Sequence, residues 1–196
     1  DIWWGDAPGK KIYRYRFQGW DENGNPQYDE DKPDTWDQPN GFTSIGRVVY
    51  LLRTDTLLVS GYTPAKKKTS WGLIGSVLVR FDGWTRGNPV KKWEIDLPRD
   101  DKKLCPKCIE TAGDYIFVVQ VRSTRGHPAV VTVFNLRDGR FVGRMWPDET
   151  VGGLSGWVDM THGLQAIKRS NGEYLVLVEE DYRGKNLLYR WKPPAH

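Results

Sequence analysis

One unit recurs along this chain: an apolar strand, a turn, a second strand of alternating pattern, another turn, and a third strand that ends near a proline. Such a repeat constrains the fold more tightly than composition does. Each copy is a small sheet that cannot bury its apolar faces alone, so neighbouring copies must cover one another. The clearest copy spans residues 113–147. There Gly113-Asp114 turns into Tyr115–Val121, Val130–Asn135 follows, and Asp138-Gly139 leads into Phe141–Trp146 before Pro147. Asp-Gly between two β-rich runs is a strong hairpin signal. A second copy places Asn171-Gly172 between His162–Ser170 and Glu173–Glu179, then Asn186–Trp191 before Pro193-Pro194. A third reads Arg47–Leu52, a Thr54-Asp55 turn, Thr56–Gly61, a long loop, Ser76–Asp82 and Lys91–Leu97 before Pro98. The first copy starts part-way through, with Asp1–Trp4, Lys11–Phe17, a turn at Asn23-Gly24-Asn25, and Gln27-Tyr28.

Equivalent strands start near Asp1, Thr56, Asp114 and Glu173, a spacing of roughly 55–59 residues. The expectation is an all-β chain of β-propeller blades, each a four-stranded antiparallel sheet. Approximate blade boundaries are 1–41, 42–98, 107–147 and 160–193. That is about three and a half blades, where rings close with about four to eight. The chain is therefore expected to be part of a larger propeller. The missing blades would come from another chain, from another part of the same precursor, or from a second copy. An open β-sandwich of similar strand number is the alternative architecture.

Composition fits an all-β reading and narrows the partners. Aromatic residues make up 13% of the chain and include ten Trp, while 21 Gly and 12 Pro supply turns. The net charge of +4 is spread among acidic residues apart from Lys66-Lys67-Lys68 and Lys102-Lys103. Nucleic-acid binders gather basic charge on one face, so nucleic acid is not the expected partner. No run reaches the roughly 18 apolar residues of a membrane span, and no signal peptide is visible. The chain opens on Asp1 rather than Met, as a processed or trimmed product would.

Several stretches carry a family resemblance. They are Gly152–Asp159, Lys168–Asp181, Tyr13–Gly19 with Gly24-Asn25-Pro26 and Tyr28, and Arg80–Trp84 with Gly87-Asn88. Together they resemble the C-terminal portion of large secreted bacterial β-propeller proteins, which are loosely similar to NHL-repeat and gluconolactonase-like propellers. The resemblance implies a propeller fold and an extracellular or cell-surface setting, often beside carbohydrate-active modules. It carries no catalytic residues across. Gluconolactonase-like enzymes ring the central channel with acidic and Asn metal ligands, and that set is not matched here.

The tryptophans are the leading functional signal, because flat indole faces take sugar rings, peptides or bases. Trp93, Trp146 and Trp191 hold corresponding strand-end positions and are assigned to packing between blades. Trp71 and Trp157 sit in Ser/Gly-rich connections, and Trp20, Trp36 and Trp84 also lie in loops. Trp71, Trp157, Trp84 and Trp36 are the candidate rim residues for a glycan or protein ligand.

Candidates for chemistry are fewer. Asp159, His162 and Arg169 could line a channel as acid/base and charge partners, with Glu179 nearby. Glu179 and Asp181 fall on one side of their strand and could hold a hard cation such as Ca²⁺, or pair with Arg183 and Lys185. Asp29-Glu30-Asp31, with Asp34 and Asp37, reads as a solvated loop without EF-hand spacing. Cys105-Pro106-Lys107-Cys108 fits a short disulfide or loop thiols, half a metal site, or a redox pair. No Gly-x-Ser-x-Gly or nucleotide-binding glycine fingerprint occurs. The leading expectation is a non-catalytic binding or interaction module that needs no cofactor. The alternatives are a propeller enzyme acting on a sugar, lactone or polysaccharide, and a structural subunit that completes a ring.

Overall fold

The computed structural model describes residues 1–6, 11–38, 40–42, 44–62, 76–97, 104–122, 130–146, 161–180 and 185–194. The described chain is all-β apart from a single 3-10 turn at Trp84–Arg86. The first sheet pairs β1 (Ile2–Gly5), β2 (Lys11–Tyr15) and β5 (Asp34–Asp37) in that order. Set into it is a two-stranded hairpin of β3 (Phe17–Trp20) and β4 (Pro26–Tyr28). The second sheet is a four-stranded antiparallel meander of β6 (Ser44–Leu51), β7 (Thr56–Tyr62), β8 (Ser76–Asp82) and β9 (Val90–Asp96). The third repeats that order with β10 (Leu104–Ala112), β11 (Tyr115–Arg122), β12 (Val130–Asn135) and β13 (Phe141–Met145). The fourth has β14 (Thr161–Lys168), β15 (Tyr174–Glu180) and β16 (Lys185–Trp191).

Why these sheets stack follows from their central strands. In β11, Tyr115, Phe117 and Val119 point into one apolar cluster, while Ile116 and Val118 point into another. In β7, Leu57 and Val59 divide from Leu58 in the same way. Side chains alternate along a strand, so a continuous apolar run places oily surface on both faces of the sheet. The second and third sheets therefore each need two covers. One core joins Ile12, Trp3 and Trp36 of the first sheet to Val59, Val77, Val79 and Phe81 of the second. Another joins Leu58 and Leu78 to Ile109, Ile116 and Phe134. A third joins Phe117, Val131 and Val133 to Tyr174, Val176 and Val178 of the fourth sheet. Each fully buried Leu, Val or Phe contributes about 1.5–3 kcal/mol relative to exposure.

The leading strands of successive sheets are neighbours. β6 packs beside β1 and β10, and β10 packs beside β14. Turns lock one sheet to the next. Gly139 has a left-handed φ of 74°, and a Cβ there would approach Trp93 and Ile95 of the second sheet to 3.1 Å. The Trp93 indole N–H donates to the Arg137 carbonyl at 3.2 Å, and Arg80 Nη1 donates to the Leu136 carbonyl at 2.8 Å. Only glycine gives a turn both the conformation and the flatness this contact requires.

Two sequence expectations change in the first sheet. Residues 34–37, read as part of a solvated acidic loop, form strand β5. Trp36 points inward onto Trp3, with centroids 5.3 Å apart, and Asp34 takes Arg16 at 2.6 Å, so Asp34 is half-buried and paired while Glu30, Asp31 and Asp37 stay exposed. The expected strand Lys11–Phe17 breaks at Arg16, and Phe17 begins the separate hairpin.

Trp84 is 1% exposed, wedged against Phe81 and Trp36 with centroids 5.5 and 5.9 Å apart. Trp84→Ala is expected to cost about 3–5 kcal/mol, measured as a drop in the free energy of urea unfolding.

Candidate functional site

The 3-10 turn that carries Trp84 is held by Asp55. This residue closes the β6–β7 turn at a φ of 50°, rare for a side-chain-bearing residue. Its carbonyl accepts from the backbone N–H of Gly83 at 2.8 Å and of Trp84 at 3.2 Å. Its carboxylate accepts from the Thr85 backbone N–H, the Thr85 hydroxyl and the Tyr50 hydroxyl, each at 2.9 Å, with Arg86 Nε 3.3 Å away. Burial pushes the Asp55 carboxyl up, but these donors and the Arg86 charge outweigh it and hold the pKa below its ordinary value. The cluster is structural: every donor stabilises the turn beneath the core.

The expected catalytic set is not assembled in one place. Asp159 lies outside the described residues. His162 falls at the bulge between Thr161 and Gly163 in β14, and its side chain is outside the described residues. Glu179 pairs with Gly163, so it shares that end of the sheet. Arg169 follows the far end of β14, beyond Lys168, about 20 Å away along the strand. The antiparallel hairpin at Ser170–Gly172 puts Arg169 at the turn, where Nη1 donates to Glu173 at 3.0 Å. Glu173 is buried and also takes Arg190 Nε at 3.0 Å. Hydrogen bonding to Arg190, together with Arg169, holds the Glu173 carboxyl below the usual range. The arginine is thus a clasp for the last hairpin and not a channel partner of Glu179.

Asp181, paired with Glu179 in the expected cation site, lies outside the described residues. Among the described residues no group of three His, Cys, Asp or Glu side chains could hold a metal ion. No helix among them is long and apolar enough to cross a membrane.

The Cys-x-x-Cys segment lies within strand β10, not in a loop before it, and a bulge between Pro106 and Cys108 sets the two cysteines out of simple register. Cys108 is buried, and the side chain of Cys105, its partner in the expected pair, is outside the described residues. Burial raises the Cys108 thiol pKa, and Arg47, whose Nη2 donates to Sγ at 3.7 Å, pulls it back only in part. Neighbouring Glu110 is likewise raised by burial, while its Oε1 accepts from the Thr111 backbone N–H at 2.7 Å.

The rim tryptophans also separate. Trp71 and Trp157 lie outside the described residues. Trp36 and Trp84 belong to the core between the first two sheets, so neither presents an open indole face. Trp93 and Trp191 pack between sheets, whereas Trp146 is partly exposed.

The exposed aromatic surface gathers elsewhere, on the outer side of the first sheet. Trp3 and Trp4 are adjacent in β1, so Trp3 goes into the core and Trp4 goes out. Ile2 pairs with Tyr15 and Trp4 with Tyr13, which places all four side chains on the outer face. Beside them the β3–β4 hairpin carries Phe17 edge-on to Trp20 and Tyr28, with centroids 5.5 and 5.9 Å apart. Trp20 is 68% exposed. Asp21 shapes the tip of this hairpin, accepting from the backbone N–H groups of Asn23 at 2.9 Å and Asn25 at 2.7 Å. Between sheet and hairpin opens a cavity of ≈ 410 Å³ lined by Ile2, Tyr15, Tyr28 and Glu30. The strand alternation of Ile2-Trp3-Trp4 and Tyr13-Arg14-Tyr15 was the sequence signal for this surface.

No family model and no curated protein matches the sequence. Among solved structures, a variant of the AtxE2 isopeptidase with astexin3-dC4 bound is similar, with a TM-score of 0.35 and 14% identity. That alignment covers 89% of this chain and 25% of the isopeptidase chain, so the present chain spans about a quarter of that protein. A likeness of this size assigns no activity.

Two measurements test these assignments. Asp55→Asn keeps the side-chain shape and removes its charge. A depressed carboxyl pKa contributes stability above the unfolded-state value of about 3.9 and loses it as pH falls through the lower folded value. The melting temperature of Asp55→Asn is expected to fall furthest below that of the parent at neutral pH, with the gap closing toward about pH 2. In a Cys105→Ser background, Cys108 is expected to resist a thiol reagent in the native chain and to react at the rate of unfolding. Rapid native labelling of Cys108 would contradict its burial.

Proposed function

We propose that this chain is a segment of a β-propeller that serves as a non-catalytic interaction module, with further β-sheets of a protein partner completing it. One observation carries the reading. The leading strands β1, β6, β10 and β14 succeed one another side by side, and each sheet covers the next with an apolar face. Blades arranged about an axis have this succession.

The two end sheets support the same reading. On the outer side of the fourth sheet, Leu177 lies opposite Leu188 and Leu175 opposite Ile167. Leu188 is 62% exposed, and Ile167 and Leu177 are also exposed. The outer side of the first sheet carries Ile2 and Trp4 in the open with Tyr13 and Tyr15 beside them. Contiguous apolar surface of this kind marks an interaction face. A protein partner fits better than a glycan, because Trp36 and Trp84 pack in the core between the first two sheets and the open face of the fourth sheet is aliphatic. The enzyme alternative has less support, since Arg169 stands at the opposite end of its strand from Glu179.

The test is the native mass of the chain, read together with binding of a hydrophobic dye. The expected result is self-association or dye binding that falls at least about tenfold in Leu177→Glu or Leu188→Glu. Their own melting temperatures should change little, since neither side chain is in a core. A monomer that binds no dye, and behaves identically with either substitution, has no face to complete and ends the reading.

A further inference from the structure

The cavity between the first sheet and the β3–β4 hairpin has a chemistry that the apolar end faces lack. Tyr15 and Tyr28 line it, with Ile2 as its apolar residue and Glu30 as its charged one. The two arginines nearby are already committed. Arg14 Nε donates to Asp1 at 2.7 Å, and the Arg16 guanidinium donates twice to Asp34, at 2.8 and 2.6 Å. Glu30, by contrast, makes no side-chain hydrogen bond or ion pair among the described residues. Its neighbours Asp29 and Asp31 add negative charge along the same loop.

Two phenol rings and a free carboxylate form a site for a cation. A cation over an aromatic face is attracted by the ring quadrupole, and a carboxylate beside it adds a charge-assisted hydrogen bond. A neutral sugar could stack on the rings but would leave Glu30 uncompensated. Between ammonium and guanidinium, the planar guanidinium both stacks on a ring and forks onto a carboxylate. We propose that this cavity takes an arginine side chain presented by the polypeptide that covers the outer face of the first sheet. The inference rests on the reading that this face is covered by a protein partner, and it specifies one residue that the partner brings.

The test is a titration of the Leu188→Glu chain, which leaves the first-sheet face free. N-acetylarginine methylamide, its lysine counterpart and a methyl glucoside are compared by the ring signals of Tyr15 and Tyr28. The arginine probe is expected to saturate, with the lysine probe at least about threefold weaker and the glucoside without effect. Glu30→Gln should weaken arginine binding about tenfold, while Asp31→Asn changes it by less than about twofold. Glu30 is exposed, so an unchanged melting temperature will verify folding of the variant. Equal binding by Glu30→Gln, or a preference for the glucoside, overturns the assignment. Association of the parent chain without arginine binding removes this inference alone. Arginine binding by a chain with no face to complete removes the interaction reading and leaves the pocket as a free-standing cation site.

Discussion

A sheet with apolar side chains on both faces has to be covered twice, and everything else in this structure follows from that demand. The central strands β7, β8, β11 and β12 carry consecutive Val, Leu, Ile or Phe residues at their centres, not a strict apolar–polar alternation. An antiparallel sheet exposed to water on one side would alternate. These cannot, so the second and third sheets sit inside a stack, with cores above and below. The energy is in those three cores; the hydrogen-bonded ladders satisfy the backbone that the cores take out of water.

Polar contacts set the register of the stack without supplying its bulk. Asp55 fixes a turn and the buried Trp84 together, since its carbonyl and carboxylate hold the 3-10 segment on which that indole rides. Gly139 lets the β12–β13 turn lie flat against Trp93. Arg169, Glu173 and Arg190 clamp the last hairpin in the same manner. Residues that looked suited to chemistry by type are thereby used to hold turns. That is the ordinary fate of a charged group whose partners come from its own hairpin.

The stack also explains where an unassigned surface should appear. The central strands of the interior sheets commit both faces to cores. Among the described residues the open apolar sheet faces are therefore those of the first and fourth sheets, while Val90 and Phe141 are open only on the outermost strands of the second and third. On the fourth sheet the open face is aliphatic. On the first it meets the hairpin that leaves the sheet after Arg16, and the junction creates a cavity lined by two tyrosines and a free carboxylate. The hairpin is what turns a plain sheet face into a site with charge and shape.

The sequence by itself determined the all-β class, the repeating unit and most strand positions, because period-two patterning and Asp-Gly or Asn-Gly turns are local signals. Thr56, Ser76 and Lys11 begin strands where the pattern places them. It did not reveal β5, since Asp34-Thr35-Trp36-Asp37 reads as polar loop until Trp3 is known to stack on Trp36. Nor did it reveal that Arg169 and Glu179 lie a strand apart, or that Trp84 is interior and Cys108 buried. Such facts depend on which segment lands opposite which, and residue type carries no record of that. Alternation could assign Trp3 and Trp4 to opposite faces. Only the packing of one sheet on the next decided which face was the core and which was left open.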